Sequence, residues 1–176
     1  MARPRKRNDL PLTVSAKLLV DGSDAEFRDF ILDLLACGHR LDACRGAFAA
    51  VAGVSAAQYE ILMLVSRADG VSVGEVAARL HRSGAFITIE TNKLVERGVL
   101  AKSSDPADGR KVLLHVTRKS REMLERLAPY QVRINDVLFG HLGAKRFREL
   151  RMLVREQLTA GERAAALLEF LLREAA

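Results

Sequence analysis

One short stretch decides how this chain folds, and it reads Asp105-Pro-Ala-Asp-Gly-Arg-Lys-Val-Leu-Leu-His-Val-Thr117. Its first half contains a proline and an Asp-Gly pair, which are turn signals, and its second half is an apolar run typical of a strand. Another run that is compatible with a strand, residues 99–103, lies just before it. The pattern predicts a β-hairpin, or wing, whose loop has Arg110 at its tip.

Helices are predicted in front of this wing. Two capping-box pairs, Ser55 with Gln58 and Ser72 with Glu75, mark two helix starts. The second start opens a short helix over residues 72–80, and apolar residues at helical intervals predict another helix over residues 83–97. This order of helices followed by a hairpin predicts a winged helix-turn-helix. In that fold the second helix of the turn reads the major groove of DNA, and the wing reaches the minor groove.

Long apolar stripes flank this core on both sides. One helix is predicted to end near Gly53, and two more follow Thr117, with Gly161 expected to interrupt or end the last one. Because these stripes are too apolar for a solvent-facing surface, we expect them to pair two copies of the chain, and packing of these leucines entirely within one chain remains the alternative. The predicted fold class is mainly α with a small β-hairpin wing. The predicted parts are a basic flexible arm (1–22), an N-terminal dimerisation helix (23–54), the winged helix-turn-helix DNA-binding domain (55–117) and C-terminal dimerisation helices (118–176).

Charge is distributed unevenly along the chain. The net charge is +6, yet residues 1–7 carry +4 and residues 79–121 carry +6, while residues 8–78 carry −5. A basic arm and a basic central segment favour a polyanionic partner, although a solvated basic surface remains an alternative. Hydrophobic residues make up 49% and charged residues 28%, which is typical of a globular chain. The sequence shows neither a spanning apolar run nor a clean signal-peptide core, so we expect a cytoplasmic protein without a membrane partner.

The expected DNA contacts lie on the helix of residues 83–97, which we call the reading helix, and on the wing. Helical spacing turns one set of residues outward, and the amino end of the helix offers free amide groups to phosphate. A shift of one residue, which would move Phe86 and Ile89 relative to the groove face, stays open. Asp108 is expected either to hold Arg110 or to bind backbone amides of the loop. The predicted DNA-binding residues are Arg82, Ser83, Gly84, Ala85, Thr88, Ile89, Asn92, Lys93, Asp108, Arg110 and Lys111.

Residues 55–117 resemble the multiple-antibiotic-resistance-type (MarR) regulators, a family of dimeric winged-helix transcription factors. The wing sequence resembles the family's Asp-x-Arg followed by a strand ending in Leu-Thr, with Val116 in place of that leucine. Residues 94–100 resemble the stretch that closes the reading helix. Glu90 departs from the pattern, because the family more often has an apolar residue there. The resemblance implies a homodimer that binds double-stranded DNA at a palindromic operator.

The resemblance also implies an input signal. Members of the family often sense small, frequently aromatic or phenolic ligands between the dimer helices and the reading head, and others sense oxidation through cysteine. By this resemblance His39, Arg40 and Arg45 are candidate effector-binding residues, and Cys37 and Cys44 are candidate redox residues. A solvated His39 and two buried inert thiols remain the alternatives.

The function expected from these features is sequence-specific transcriptional regulation, with repression that a small-molecule effector releases. Activation, a winged-helix module that binds proteins without DNA, and a cysteine-based redox sensor stay open. An enzyme is not expected, because the four histidines are dispersed and the sequence has no phosphate-cradling glycine loop and no serine-centred elbow. No cofactor and no metal are expected.

Overall fold

The computed structural model describes residues 10–175. The helices are α1 (Ala25–Val51), α2 (Ala56–Arg67), α3 (Val73–Leu80), α4 (Gly84–Glu96), α5 (Arg118–Phe139) and α6 (Gly143–Glu174). The strands are β1 (Val71–Ser72), β2 (Leu100–Ser104) and β3 (Val112–Val116), and a 3-10 turn spans Gly140–Leu142. The chain divides into two compact units, Met1–Leu127 and Ala128–Ala176. The mainly α fold class with a small β wing is confirmed.

Local sequence signals set the starts of α2 and α3. Ser55 Oγ accepts from the backbone N–H of Gln58 at 3.2 Å, and Gln58 Oε1 accepts from the N–H of Ser55 at 3.3 Å. Ser72 and Glu75 form the same reciprocal pair at the start of α3, with distances of 3.2 and 2.8 Å. Each box satisfies two backbone groups that a helix end otherwise leaves unpaired. Both predicted capping boxes are therefore confirmed.

The sheet has one strand more than the predicted hairpin. β3 lies in the middle, pairing antiparallel with β2 on one side and with β1 on the other. β1 is only two residues long and pairs Val71 with Leu114, so no periodic pattern could mark it in the sequence. Leu114 is fully buried, which fixes the wing to the helical core. The prediction of two strands was thus incomplete.

The first unit contains the hydrophobic core. Fully buried side chains of α2, α3, α4, α5, β2 and β3 meet there, and each is shielded from water on all sides. Burying an aliphatic side chain of this size stabilises the fold by about 1.5–3 kcal/mol, so this cluster dominates the packing energy. Its largest fully buried side chains are Ile61, Leu62, Ile87, Leu94, Leu100, Leu114 and Leu127.

The flanking helices are long. α6 runs without a break through Gly161, so the expectation that this glycine would interrupt or end the helix was wrong. A glycine inside a helix costs only about 1 kcal/mol relative to alanine, which the neighbouring turns can offset. Within residues 10–175 no single helix is long and apolar enough to cross a membrane. Only α1 and α2 taken together meet that test, and they are bent by 82°.

The segment before α1 is partly described. Leu12 donates its backbone N–H to Asp24 Oδ2 at 2.7 Å, and Arg28 forms an ion pair with the same carboxylate at 3.1 Å. These bonds lower the pKa of Asp24, the bond from Leu12 having the largest effect. The basic side chains predicted for the arm, Arg3, Arg5, Lys6 and Arg7, lie outside the described residues, so the arm's flexibility remains a prediction.

Candidate nucleic-acid interface

The reading helix is α4, and its start is built by a tight turn. His81 ends α3 in the left-handed conformation (φ 50°, ψ 45°), which lets the chain reverse within three residues. Ser83 then caps α4 by accepting from the backbone N–H of Phe86 at 3.2 Å. The guanidinium of Arg82 lies 5.9 Å from the centre of the Phe86 ring, within the range of a cation–π contact. The amino end of α4 therefore has Arg82 and Ser83 beside it.

The two faces of α4 are clearly separated. Ile87, Thr91 and Leu94 are buried against the core, and the hydroxyl of Thr91 donates to the carbonyl of Ile87 at 2.8 Å. Ile89 is 55% exposed and Phe86 is 37% exposed, so neither packs into the core as a buried residue. The four residues expected to face outward, Ala85, Thr88, Ile89 and Asn92, are all exposed, as are Arg82, Ser83 and Gly84.

The exposed polar groups of α4 already make bonds that limit what they can offer. Thr88 donates its hydroxyl to the carbonyl of Gly84 at 2.8 Å, which leaves its oxygen as an acceptor. Ser83 has used its oxygen as a cap acceptor and retains its hydrogen as a donor. Lys102, on β2, donates to Asn92 Oδ1, so the amide NH₂ of Asn92 remains for a partner. The helix can thus present both donors and an acceptor to base edges.

Glu90 is buried in the middle of the reading helix, which sequence reasoning did not foresee. Its residue exposure is 8%, and Lys93 Nζ and Gln58 Nε2 donate to its two oxygens at 2.6 and 2.9 Å. The hydrogen bond from Lys93 is the largest cause that lowers the pKa of Glu90, with a further contribution from Gln58. Lys93, an expected DNA contact, is therefore paired with a carboxylate of its own helix.

The wing loop is shaped by its aspartates. Asp108 accepts from the backbone N–H of Arg110 at 3.2 Å, and Asp105 accepts from that of Ala107 at 2.8 Å. The second of the two roles considered for Asp108, binding backbone amides, is the one observed. Lys111 Nζ lies 3.7 Å from Asp108 Oδ2. Within residues 10–175 the side chain of Arg110 has neither a hydrogen bond nor an ion pair, and it is exposed.

The reading helix and the wing share one concavity. It has a volume of 360 Å³, and both Thr88 of α4 and Arg110 of the wing line it. The start of α3 closes one side, and Lys102 lies among the lining residues. Lys102 was missed from the sequence, although its place on a strand beside the basic loop was a usable signal. The full lining is Ser72, Val73, Gly74, Thr88, Lys102, Arg110, Lys111 and Val112.

A chain of three hydrogen-bonded side chains supports the base of the wing. His115 on β3 lies between two side chains, with Nε2 at 2.9 Å from Ser103 Oγ and Nδ1 at 3.3 Å from Asp69 Oδ1. Asp69 also accepts from the backbone N–H of Val116 at 3.3 Å. The turn between α2 and β1 is thereby joined to both long strands, so the wing is held on the core.

The candidate effector residues on α1 differ in their surroundings. His39 and Arg40 are exposed, whereas Arg45 is half-buried and forms ion pairs with Glu60 and Asp42. Burial opposes the charge of Arg45, but Glu60 and then Asp42 outweigh it and raise the pKa of the guanidinium. Arg45 Nε is buried without a hydrogen-bond partner in the described structure. Glu60 lines a concavity of 630 Å³ together with Tyr59, Met63, Leu64, Arg67, Arg79 and Leu80.

The two thiols are also placed differently. Cys37 is exposed on α1, Cys44 is half-buried, and neither forms a disulfide. Across residues 10–175 no group of three or more His, Cys, Asp or Glu side chains is arranged to hold a metal ion.

The sequence was compared with protein-family models and with known proteins. A family model described as the MarR family matches residues 52–111, the segment from the end of α1 to the wing loop. The HTH-type transcriptional regulator YdgJ of Bacillus subtilis (strain 168), described as uncharacterized, is 25% identical over 107 residues. The winged helix-turn-helix segment of the chain is therefore similar to the MarR family. The match with YdgJ covers 61% of this chain and 63%, less than two thirds, of the relative.

Two solved structures share this fold. CouR from Rhodococcus jostii RHA1, bound to p-coumaroyl-CoA, superposes with a TM-score of 0.67 at 22% identity, over 76% of this chain and 94% of CouR. The PcaV transcriptional regulator from Streptomyces coelicolor, in complex with its natural ligand, gives a TM-score of 0.57 at 25% identity. That match covers 71% of this chain and 91% of PcaV. The resemblance inferred from the wing sequence is therefore confirmed.

Proposed function

We propose that this protein is a MarR-type regulator that binds double-stranded DNA in a sequence-specific manner through α4 and the wing. The observation that carries the proposal is that Thr88 and the unpaired Arg110 line the same concavity. A wing arginine with a free planar guanidinium suits a narrow, electronegative minor groove, while α4 suits the major groove beside it. The charge of +6 over residues 79–121 supplies attraction to phosphate.

The remaining predicted contacts fit this role to different degrees. Ser83 and the amide groups at the start of α4 are suited to phosphate, and Asn92 is suited to base acceptors. Asp108 acts by shaping the loop, and Lys111 stands beside Arg110. Lys93 is held by Glu90, so we expect it to contribute less to DNA binding than its charge suggests.

We propose further that two copies form the working unit. α1 and α6 expose apolar side chains over much of their length, with exposures of 56% at Phe30 and 57% at Leu167. Monomeric proteins rarely expose contiguous apolar patches above about 300–600 Å². A second copy that covers these stripes would set two reading helices for half-sites about 34 Å apart, and hence for a palindromic operator.

We propose that a small aromatic or phenolic effector controls DNA binding by releasing the protein from a repressed operator. CouR is bound to p-coumaroyl-CoA and PcaV to its natural ligand, which makes this ligand class the first to test. Arg45 is the best placed of the three candidate residues, since it is half-buried and keeps an unpaired N–H. Release requires that the effector bind one arrangement of the two heads more tightly than the other. The role implies a cytoplasmic protein, since that is where bacterial and archaeal DNA lies.

The experiment starts with selection of bound duplexes from a random pool, followed by measurement of Kd at rising salt. We expect an enriched sequence with twofold symmetry and a log–log salt slope of about −0.9 for each phosphate contact. A flat response, or no enrichment, would reject the DNA-binding proposal and favour a protein-interaction module. Light scattering at micromolar concentration should give a dimer, and a monomer would reject the assembly.

Adding a ligand or an oxidant to the protein–DNA complex tests which signal releases the DNA. Adding p-coumarate or its CoA thioester should release the selected duplex if the effector class is right. Release by peroxide, abolished in Cys37→Ser, would instead favour the redox alternative.

A further inference from the structure

Glu90 is the least expected charge in the molecule, because it lies inside the helix that faces DNA. Carboxylates are almost never buried unless they are paired. Here both oxygens are satisfied, one by Lys93 on the next turn of the same helix and one by Gln58 from α2. The carboxylate therefore has one bond within α4 and one bond between helices.

Gln58 makes the bond between helices directional. Its Oε1 accepts from the backbone N–H of Ser55 and from Arg97 Nη1, each at 3.3 Å, so its NH₂ group is left to point at Glu90. Arg97, which caps the end of α4, also donates from Nη2 to the carbonyl of Gly53 at 2.7 Å. One continuous network thus joins the middle and the end of α4 to the junction between α1 and α2. A rotation of α4 about its axis would break it.

Lys93 is the side of the network that faces solvent. Its side chain is 52% exposed, yet its Nζ lies 2.6 Å from Glu90 Oε1. Lys102 is engaged in a similar way, by Asn92 Oδ1. Apart from the paired Lys93 and the exposed Glu96 in the last turn, the outward surface of α4 is formed by neutral side chains, of which Thr88 and Asn92 have directional hydrogen-bonding groups. Non-specific attraction to DNA comes almost entirely from free cations near phosphates, so pairing Lys93 with Glu90 lowers that attraction.

We propose that Glu90 is a positioning and specificity-determining residue for DNA recognition. It keeps Lys93 away from the phosphates and fixes the rotation of α4, so that the directional groups of Thr88 and Asn92 select the base sequence. The inference rests on the proposed DNA binding, and it assigns the discrimination between specific and random duplexes to a side chain that does not itself touch DNA.

The test compares four variants of the full chain: Glu90→Gln, Glu90→Met, the double variant Glu90→Gln with Lys93→Gln, and Glu96→Gln. Glu96→Gln is the matched control, because it removes an exposed carboxylate from the same helix and leaves the network intact. Kd is measured for the selected duplex and for a scrambled duplex of equal length over a range of salt. Thermal unfolding of each variant checks that the fold is kept, and Glu90→Met provides an apolar side chain that packs where the carboxylate was.

We expect Glu90→Gln to bind scrambled DNA more tightly and to steepen its salt slope by about 0.9, the value for one additional phosphate contact. The ratio of specific to non-specific affinity should fall by about tenfold, the size of one lost base discrimination. Adding Lys93→Gln should return the slope to that of the wild type while the ratio stays low, since α4 remains unanchored. Glu96→Gln should keep the wild-type slope and ratio.

The outcomes separate this inference from the function on which it rests. A wild-type protein that enriches no duplex rejects DNA binding and this role together. The role of Glu90 alone is overturned by a different result. In that case the affinity of the wild-type protein for its duplex falls steeply as salt rises, and the folded Glu90 variants keep the same salt slope and the same ratio of specific to non-specific affinity. Loss of affinity for both duplexes in equal proportion, with a lowered unfolding temperature, would show a purely structural role and also overturn it.

Discussion

Asp108 accepts a hydrogen bond from the backbone N–H of Arg110 at 3.2 Å, so the carboxylate shapes the wing loop and the guanidinium stays free. An ion pair between the two side chains would instead have neutralised the group best suited to enter a minor groove. This arrangement makes the contributions of the two residues separable, since one acts through the backbone and the other through its charge and shape.

Arg110→Ala should weaken binding to the selected duplex by about 1–3 kcal/mol without changing the free energy of unfolding, because within residues 10–175 the exposed side chain makes neither a hydrogen bond nor an ion pair. Arg110→Lys keeps the charge but loses the planar fork, so we expect an intermediate affinity. Fluorescence anisotropy with labelled duplex measures both. Wild-type affinity in Arg110→Ala would remove this residue from the interface.

Ser83 and Ser55 are matched helix caps, and only Ser83 lies at the proposed interface. Each accepts from a backbone N–H at 3.2 Å, so replacing either by alanine should cost about 1 kcal/mol of unfolding free energy in a denaturant titration. Ser83→Ala should in addition weaken DNA binding beyond the effect of Ser55→Ala. Equal affinities for the two variants would contradict a DNA contact at Ser83.

The hydrogen bonds of Glu75 should make the free energy of unfolding depend on pH in the acid range. Hydrogen bonds from the backbone N–H and the hydroxyl of Ser72 hold the pKa of Glu75 below its ordinary value. Because the folded pKa is lower than the unfolded one, the stabilisation is fully present above the unfolded pKa and is lost as the pH falls through the folded pKa. Glu75→Gln should therefore flatten the decline of unfolding free energy as the pH falls below the ordinary glutamate pKa of about 4.3. An unchanged pH profile in this variant would contradict the assignment.

The basic arm can be tested although it lies outside the described residues. Deleting residues 2–7 removes four cations, so affinity for scrambled DNA should fall and the salt slope should become shallower. The deletion should leave the unfolding temperature unchanged. If the slope of the truncated protein equals that of the full chain, the arm does not contact phosphate.

Local patterns predicted much of the fold. The capping boxes at Ser55 and Ser72 and the turn signals in the wing each depend on groups a few residues apart, and the structure has these elements where the sequence placed them. The inward face of α4 was also predicted, since Ile87, Thr91 and Leu94 recur at helical spacing. The uninterrupted course of α6 through Gly161 was not, because one residue's helix propensity is a weak signal beside the neighbouring turns.

The sequence predicted which elements form the candidate site, but it did not predict which side chains of the site bind one another. The sequence indicated α4 and the wing as the basic, groove-facing elements, yet it left Lys93 among the free cations and omitted Lys102. Both assignments depend on the partners of these lysines, Glu90 and Asn92, and a sequence does not show which of several nearby oxygens a flexible lysine meets. Sorting paired from unpaired charges required coordinates.

The amino-acid sequence by itself determined the order of the helices, the wing and the family resemblance of that segment, because caps, turns and apolar periods act over a few residues. Only the tertiary structure decided that β1 completes the sheet, that Gln58 turns its amide towards Glu90, and that Thr88 and Arg110 line one concavity. These relationships join residues far apart in the chain. They follow from how packed elements meet in space, which depends on the whole core at once and not on any local pattern.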